Sequence, residues 1–245
     1  MANTLAQLPL SGSNMTGVGT VAWVNPSYIT TTDTNNATFT GASYSTTYSN
    51  YLRASNFNFA IPDGQKITGI ILVVKGKKGL SSLATKNIKD NIIKIVNASG
   101  SVVGDDKADK TTLWPTTAGE FTYGSSSDNW GLNLLSADVN DTDFGVVISA
   151  VSYTETVGPK GYIESVTLQL FYEPDAVAPT VTTQDVTNIE KQSATANGTI
   201  TDTGGENATR RGFCYKVGVG DPTVSDNVVF EEGSFGTGSF SKDLI

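Results

Sequence analysis

The chain has 245 residues, room for two ordinary domains or one large one, with no His, one Cys and a formal charge of -8. Without His there is no Ser-His-Asp triad, no imidazole base and no imidazole metal ligand. A single Cys excludes an internal disulfide, a thiolate zinc site and an iron–sulfur cluster.

Thr, Ser, Asn and Gly supply 99 of the residues and charged ones only 16%, a balance that favours strands and turns over helices. The 9% of aromatic residues and the short apolar runs argue against disorder. Residues 1–17 are polar and without period. They read as an N-terminal arm, ordered only where something holds it.

A first β domain is expected over residues 18–173, with strands near 18–24, 37–40, 51–61, 67–75, 91–97, 121–123, 144–151 and 162–172. The run Ile67 to Val74 is almost continuously apolar, as in a central strand buried on both sides or packed strongly. Val166, Leu168, Leu170 and Tyr172 alternate with Thr167, Gln169 and Phe171, which puts one face in a core. Ile61-Pro62-Asp63-Gly64 is a turn signal: Pro presets φ and Gly accepts a positive φ. Ser136 to Val139 fits a single helical turn capped by Ser136.

Residues 174–179, with prolines at both ends, read as a linker. Residues 180–245 form a second β module, with strands near 180–184, 194–201, 209–217, 228–232 and 239–245. Asn197-Gly198, a hairpin signal elsewhere, falls inside one of these runs. The fold class is therefore all-β.

The acidic balance argues against nucleic acid, which needs clustered Lys and Arg; the net charge is -3 over residues 1–174 and -5 over 175–245. The longest apolar run, Ile70 to Val74, is far short of the roughly 20 residues that span a bilayer. The first twenty residues lack the basic and apolar regions of a secretory signal, so no membrane insertion and no conventional export are expected.

Several residue groups invite a functional reading. Asp138, Asn140, Asp141 and Asp143 crowd together as in a Ca²⁺ loop, but the Gly and distal Glu of an EF-hand are missing. A turn that satisfies its own backbone is preferred. Lys75, Lys77, Lys78, Lys86, Lys89 and Lys94, opposed by Asp90, form a basic stretch. It would either dock an acidic surface of a neighbouring copy, such as Asp105, Asp106 and Asp109, or guard an apolar strand against edge pairing. Trp23, Trp114 and Trp130 would suit a sugar-stacking platform, although large aromatics are more often core residues of a sandwich.

The six Asn-X-Ser/Thr sequons, at Asn14, Asn36, Asn97, Asn140, Asn197 and Asn207, barely exceed chance and are not read as glycosylation. Cys214, between Phe213 and Tyr215, is expected to be a buried structural thiol. Carboxylate spacing in sequence does not reveal the separation that glycoside hydrolysis needs. No catalytic residue, cofactor or metal is assigned.

Two resemblances extend this reading. Tyr51 to Gly64 followed by Ile67-Thr-Gly-Ile70 resembles a module of bacteriophage virion proteins and some bacterial surface proteins. Lys107 to Pro115, Tyr123 to Gly131, Ala137 to Gly145 and the closing run 162–172 continue the likeness over roughly residues 20–173. It implies a jelly-roll-like β-sandwich with no catalytic residues to carry over.

Ala194 to Gly198, Asp202-Thr-Gly-Gly205, Gly212-Phe-Cys-Tyr215, Pro222-Thr223 and Gly238-Ser-Phe240 resemble the first part of a fibronectin type III or immunoglobulin-like domain. That likeness implies a sandwich missing its last two strands, to be completed by further chain or by a neighbour.

Together the likenesses imply a structural virion protein made in the host cytoplasm: a head decoration, head fibre or tail appendage. It would act by assembling with copies of itself and other virion proteins in a symmetric oligomer, with a host surface glycan as a further ligand. The alternative is a carbohydrate-binding or adhesive module of a bacterial surface protein.

Overall fold

Alternation of apolar side chains decides most of the architecture. The computed structural model describes residues 2–79, 87–153 and 158–245. The chain divides into two units, Met1–Glu173 and Pro174–Ile245.

The first unit contains β1 (Ala2–Asn3), β2 (Ser11–Met15), β3 (Ala37–Thr40), β4 (Thr46–Tyr48), β5 (Tyr51–Ser55), β6 (Gln65–Lys78), β7 (Asn87–Val96), β8 (Val102–Val103), β9 (Gly119–Ser125), β10 (Gly145–Tyr153) and β11 (Lys160–Pro174). A 3₁₀ turn (Pro26–Thr30) and one helical turn, α1 (Ser136–Val139), complete it. One five-stranded sheet runs β1-β11-β6-β9, with β3 also on β11. A six-stranded sheet runs β2-β5-β10-β7-β8, with β4 also on β10.

The inward faces of the two sheets share one hydrophobic core. Ile70, Leu72, Val166, Leu168 and Leu170 come from the first sheet, and Leu52, Ile93, Ile95, Val146 and Ile148 from the second. Each such side chain contributes about 1.5–3 kcal/mol relative to exposure. The apolar β6 run is a central strand, but it is fully buried on one face only. Ile70, Leu72 and Val74 point into the core, while Ile71 and Val73 are half-buried on the other side.

The expected arm is held at both ends. β1 pairs with β11 and β2 with β5, so residues 1–17 supply an edge strand to each sheet. Between them Thr4 exchanges backbone and side-chain hydrogen bonds with Leu170 and Gln169.

Two expected strands are corrected. Residues 18–24 make only isolated bridges at Val21 and Val24, because Gly17 and Asn25 take positive φ on either side. The strand at 51–61 stops at Ser55, where Asn56 and Asn58 adopt the left-handed conformation that Asn tolerates. Phe57, Phe59 and Ile61 nevertheless reach the core from this irregular segment. The turn at Pro62 to Gly64 forms as expected, with Gly64 at φ 71. In α1 the N-cap is Leu135 rather than Ser136, and the Asp138 carboxylate accepts the Leu135 N–H at 2.8 Å. Gly124 marks a close approach: at φ 77, any Cβ there would strike the Ile70 carbonyl and the Trp130 indole nitrogen.

The second unit holds β12 (Thr180–Thr187), β13 (Ala194–Asp202), β14 (Ala208–Tyr215), β15 (Asn227–Phe235) and β16 (Gly238–Leu244). They form a three-stranded sheet, β12-β13-β16, and a two-stranded sheet, β14-β15. Asn197-Gly198 lies within β13 and makes no hairpin: Asn197 pairs with Gln184 and Ser241. Gly198 leaves room for two rings there: a Cβ would crowd Phe213 at 3.1 Å and Phe240 at 3.2 Å, whose rings stack with centroids 5.0 Å apart. Beyond that stack, Ala196 and Ile200 are the buried apolar residues of this unit among those described.

Candidate functional site

The three tryptophans form no platform. Trp23, Trp114 and Trp130 are all buried in the first unit, which corrects the sugar-stacking reading of these residues. Each indole N–H has an internal acceptor: the Asn50 carbonyl for Trp23, the Asp90 carboxylate for Trp114 and the Ile70 carbonyl for Trp130. An indole satisfied in this way belongs to the core.

The acidic turn is likewise engaged by its surroundings. Asp138 accepts the Leu135 N–H, and Asn140 both accepts from and donates to the Ile61 backbone. Asp141 accepts the Asp143 N–H, and Asp143 pairs with Arg53 at 2.8 Å. Among the described residues no group of three or more acidic or thiol ligands converges as a metal site.

The basic stretch does not form one patch. Lys75 and Lys77 lie on β6 and both grip the buried Glu164, at 2.9 and 3.0 Å. Lys89 and Lys94 lie on β7, in the other sheet, and Lys86 falls outside the described residues. Burial raises the Glu164 carboxyl, but the two ammonium groups more than reverse this and leave it below its ordinary 4.5.

The acidic residues that were to meet such a patch are also occupied. Asp105 pairs with Lys107 and Asp106 with Lys110. Asp109 accepts from Thr111 and Thr112, which holds its carboxyl well below the usual range. Among the sequon residues, the amides of Asn36, Asn140 and Asn197 bond to backbone carbonyls. Cys214 is half-buried rather than buried.

Two features were missed in the sequence. The first is a buried carboxylate: Asp90 on β7 accepts from the Trp114 indole at 2.8 Å, the Tyr123 hydroxyl at 2.8 Å and the Asp109 N–H at 3.1 Å. Burial pushes its carboxyl above the ordinary 3.8, against the pull of these three donors. Burial and the neighbouring Asp90 push the Tyr123 hydroxyl upward as well. Three well-placed donors make this a structural tie between β7, the loop before β9 and β9 itself. In sequence Asp90 is one charge among lysines, and nothing there says that it turns inward.

The second is a groove of about 350 Å³ on the outer face of the six-stranded sheet, over β4, β10 and β7. The register builds it as two rows. Tyr48, Val151 and Lys89 lie side by side in one, and Thr46, Tyr153 and Asn87 in the next. Tyr48 and Tyr153 are about half exposed and are diagonal neighbours, a spacing of about 7–8 Å. The only sequence signal is the alternation of Thr46 with Tyr48 and of Val151 with Tyr153, which says that the pairs share a face but not that the faces meet.

No known protein family and no curated protein sequence matches the chain. Among solved structures, the glycoside hydrolase domain of Endo-D from Streptococcus pneumoniae R6 aligns at 12% identity, over 96% of this chain and 37% of that one, with a TM-score of 0.25. The chain thus spans little more than a third of that domain, and a likeness this slight carries neither fold nor function. Among the described residues no helix is long and apolar enough to cross a membrane.

Proposed function

We propose that this is a structural protein of a bacteriophage virion, acting without catalysis by assembling with copies of itself and with other virion proteins. The observation that carries the reading is a division of roles between the two units. In the first, the residues that resemble virion modules are themselves the architecture. Phe57, Phe59 and Ile61 fill the core, Gly64 makes the turn, Trp114 and Trp130 are buried, and Asp138 caps α1.

In the second unit β14 pairs with β15 on one side and, among the described residues, with no strand on the other. A cleft of about 260 Å³ lies against it, with Val181, Ile200, Phe213 and Phe240 beside Arg210 and Arg211 in its lining. Val217, Val219 and Val224 stand exposed on the loop between β14 and β15. A free sheet edge beside exposed apolar side chains is the surface that assembly covers.

The test is quantitative mass spectrometry of purified particles from cells in which the chain is made during infection. Tens to hundreds of copies per particle are expected. Absence from particles refutes the reading.

A further inference from the structure

We propose that the groove over β4, β10 and β7 binds a saccharide, with an acidic ring seated beside Lys89. The proposal does not rest on the assembly reading, since it concerns the outer face of the first unit alone.

The chemistry is set by the two rows. Neighbouring strands lie about 4.8 Å apart, so the two rows over three strands cover an area about 10 Å wide, the breadth of one or two pyranose rings. Tyr48 and Tyr153 offer two half-exposed rings at diagonal corners. Such rings suit the axial C–H face of a sugar because they join apolar area to a polar edge. Around them the Thr46 hydroxyl, the Asn87 amide and the Lys89 ammonium have no hydrogen-bond or ion-pair partner among the described residues.

Lys66, Lys75, Lys77, Lys107, Lys110 and Arg53 of the same unit are, by contrast, paired with carboxylates. A row of unpartnered donors and acceptors between two exposed rings matches a ligand that has hydroxyls around an apolar face. The groove volume is within the usual range for a small-molecule site.

Of the two lysines described in the groove lining, Lys110 is paired with Asp106, so Lys89 decides the charge. A carboxylate-bearing sugar placed on Tyr153 or Tyr48 brings its anion to Lys89, while Asp90, the acid next to it in sequence, points inward and is already held by Trp114, Tyr123 and the Asp109 backbone. A neutral sugar gains the stacking and loses the ion pair. A peptide strand is a poorer match, because β10 is already paired on both edges at this point, with β4 and with β7.

The experiment is binding of the full chain to an array of neutral, sialylated and uronic saccharides, followed by titration of the best acidic ligand against its neutral core. Binding of an acidic saccharide is expected, weaker by about tenfold in Tyr153→Ala and in Tyr48→Ala. Tyr153→Phe should keep most of the affinity, and Lys89→Gln should bring acidic and neutral ligands to the same affinity. Circular dichroism and thermal melting of each variant separate loss of the site from loss of the fold.

Failure of every saccharide to bind overturns the proposal. So does binding that survives both Ala variants, or capture of a protein partner by this face with no sugar affinity. Equal affinity of the parent chain for acidic and neutral forms overturns the role of Lys89. A chain that binds glycans but is absent from particles refutes the assembly reading alone, and the converse refutes this one alone.

Discussion

The two units are built from similar strands and differ in what lies between their sheets. The first closes around a continuous core in which Trp130, Phe39, Phe57, Phe144 and aliphatic side chains such as Ile29, Leu52, Ile70 and Leu72 are sealed from solvent. The second has Ala196, Ile200 and one Phe213–Phe240 stack, with arginines laid over its rings: Arg210 over Phe230 at 3.5 Å and Arg211 over Phe235 at 4.1 Å. Buried apolar area is the main favourable contribution to folding, so similar strand content gives unequal stability. The lesson is that a β pattern in sequence predicts strands more readily than it predicts the core between them.

The largest expected effects come from truncating an aromatic residue in each unit. Phe39→Ala removes a fully buried ring that packs on Trp23 at 5.8 Å and should cost about 3–5 kcal/mol in the first unit. Phe213→Ala, from a half-buried stack, should cost about 1–2 kcal/mol in the second. Urea titrations that follow each unit separately check this. Equal costs break the contrast.

How much of this was legible in the sequence follows from the range of the signals. Alternation is local, so Val166, Leu168 and Leu170 announced their strand, and the five strands of the second unit fell close to where their runs were read. The short strands β1, β4 and β8 carry too few residues for a period, and the partners of β1, β2 and β4 are distant in sequence. Irregular backbone hid as well: Phe57, Phe59 and Ile61 alternate like a strand, but two left-handed asparagines carry them into the core.

The site was the least legible part. Tryptophan drew attention as the best stacking residue, yet the fold buries all three and leaves Tyr48 and Tyr153 outside. Burial is decided by sheet pairing over about a hundred residues, as between β4 and β10, and no local pattern reports it.

Buried ionisable groups sharpen the comparison, because Asp90 and Glu164 both lie in the first unit and should respond to pH in opposite senses. The raised Asp90 carboxyl is held protonated more firmly in the folded state. Its contribution is greatest below its unfolded value near 3.8 and declines as pH rises through the folded one. The Glu164 carboxyl is lowered, so its contribution is present above 4.5 and is lost as pH falls through the folded value.

Asp90→Asn should therefore gain on the parent chain as pH rises from acid to neutral. Glu164→Gln should lose on it over the same interval, ending about 1–2 kcal/mol less stable because two half-exposed lysines lose their shared partner. Denaturation midpoints across that pH range test both. Parallel curves would remove either group from the account.

The most direct test of the unequal units is native-state hydrogen exchange on the full chain. Amides of β6 and β10 should exchange at the rate of global unfolding of the first unit, and those of β14 and β15 at least about a hundredfold faster. Equal protection in β14 and β10 would contradict the claim that the second unit is the less stable of the two.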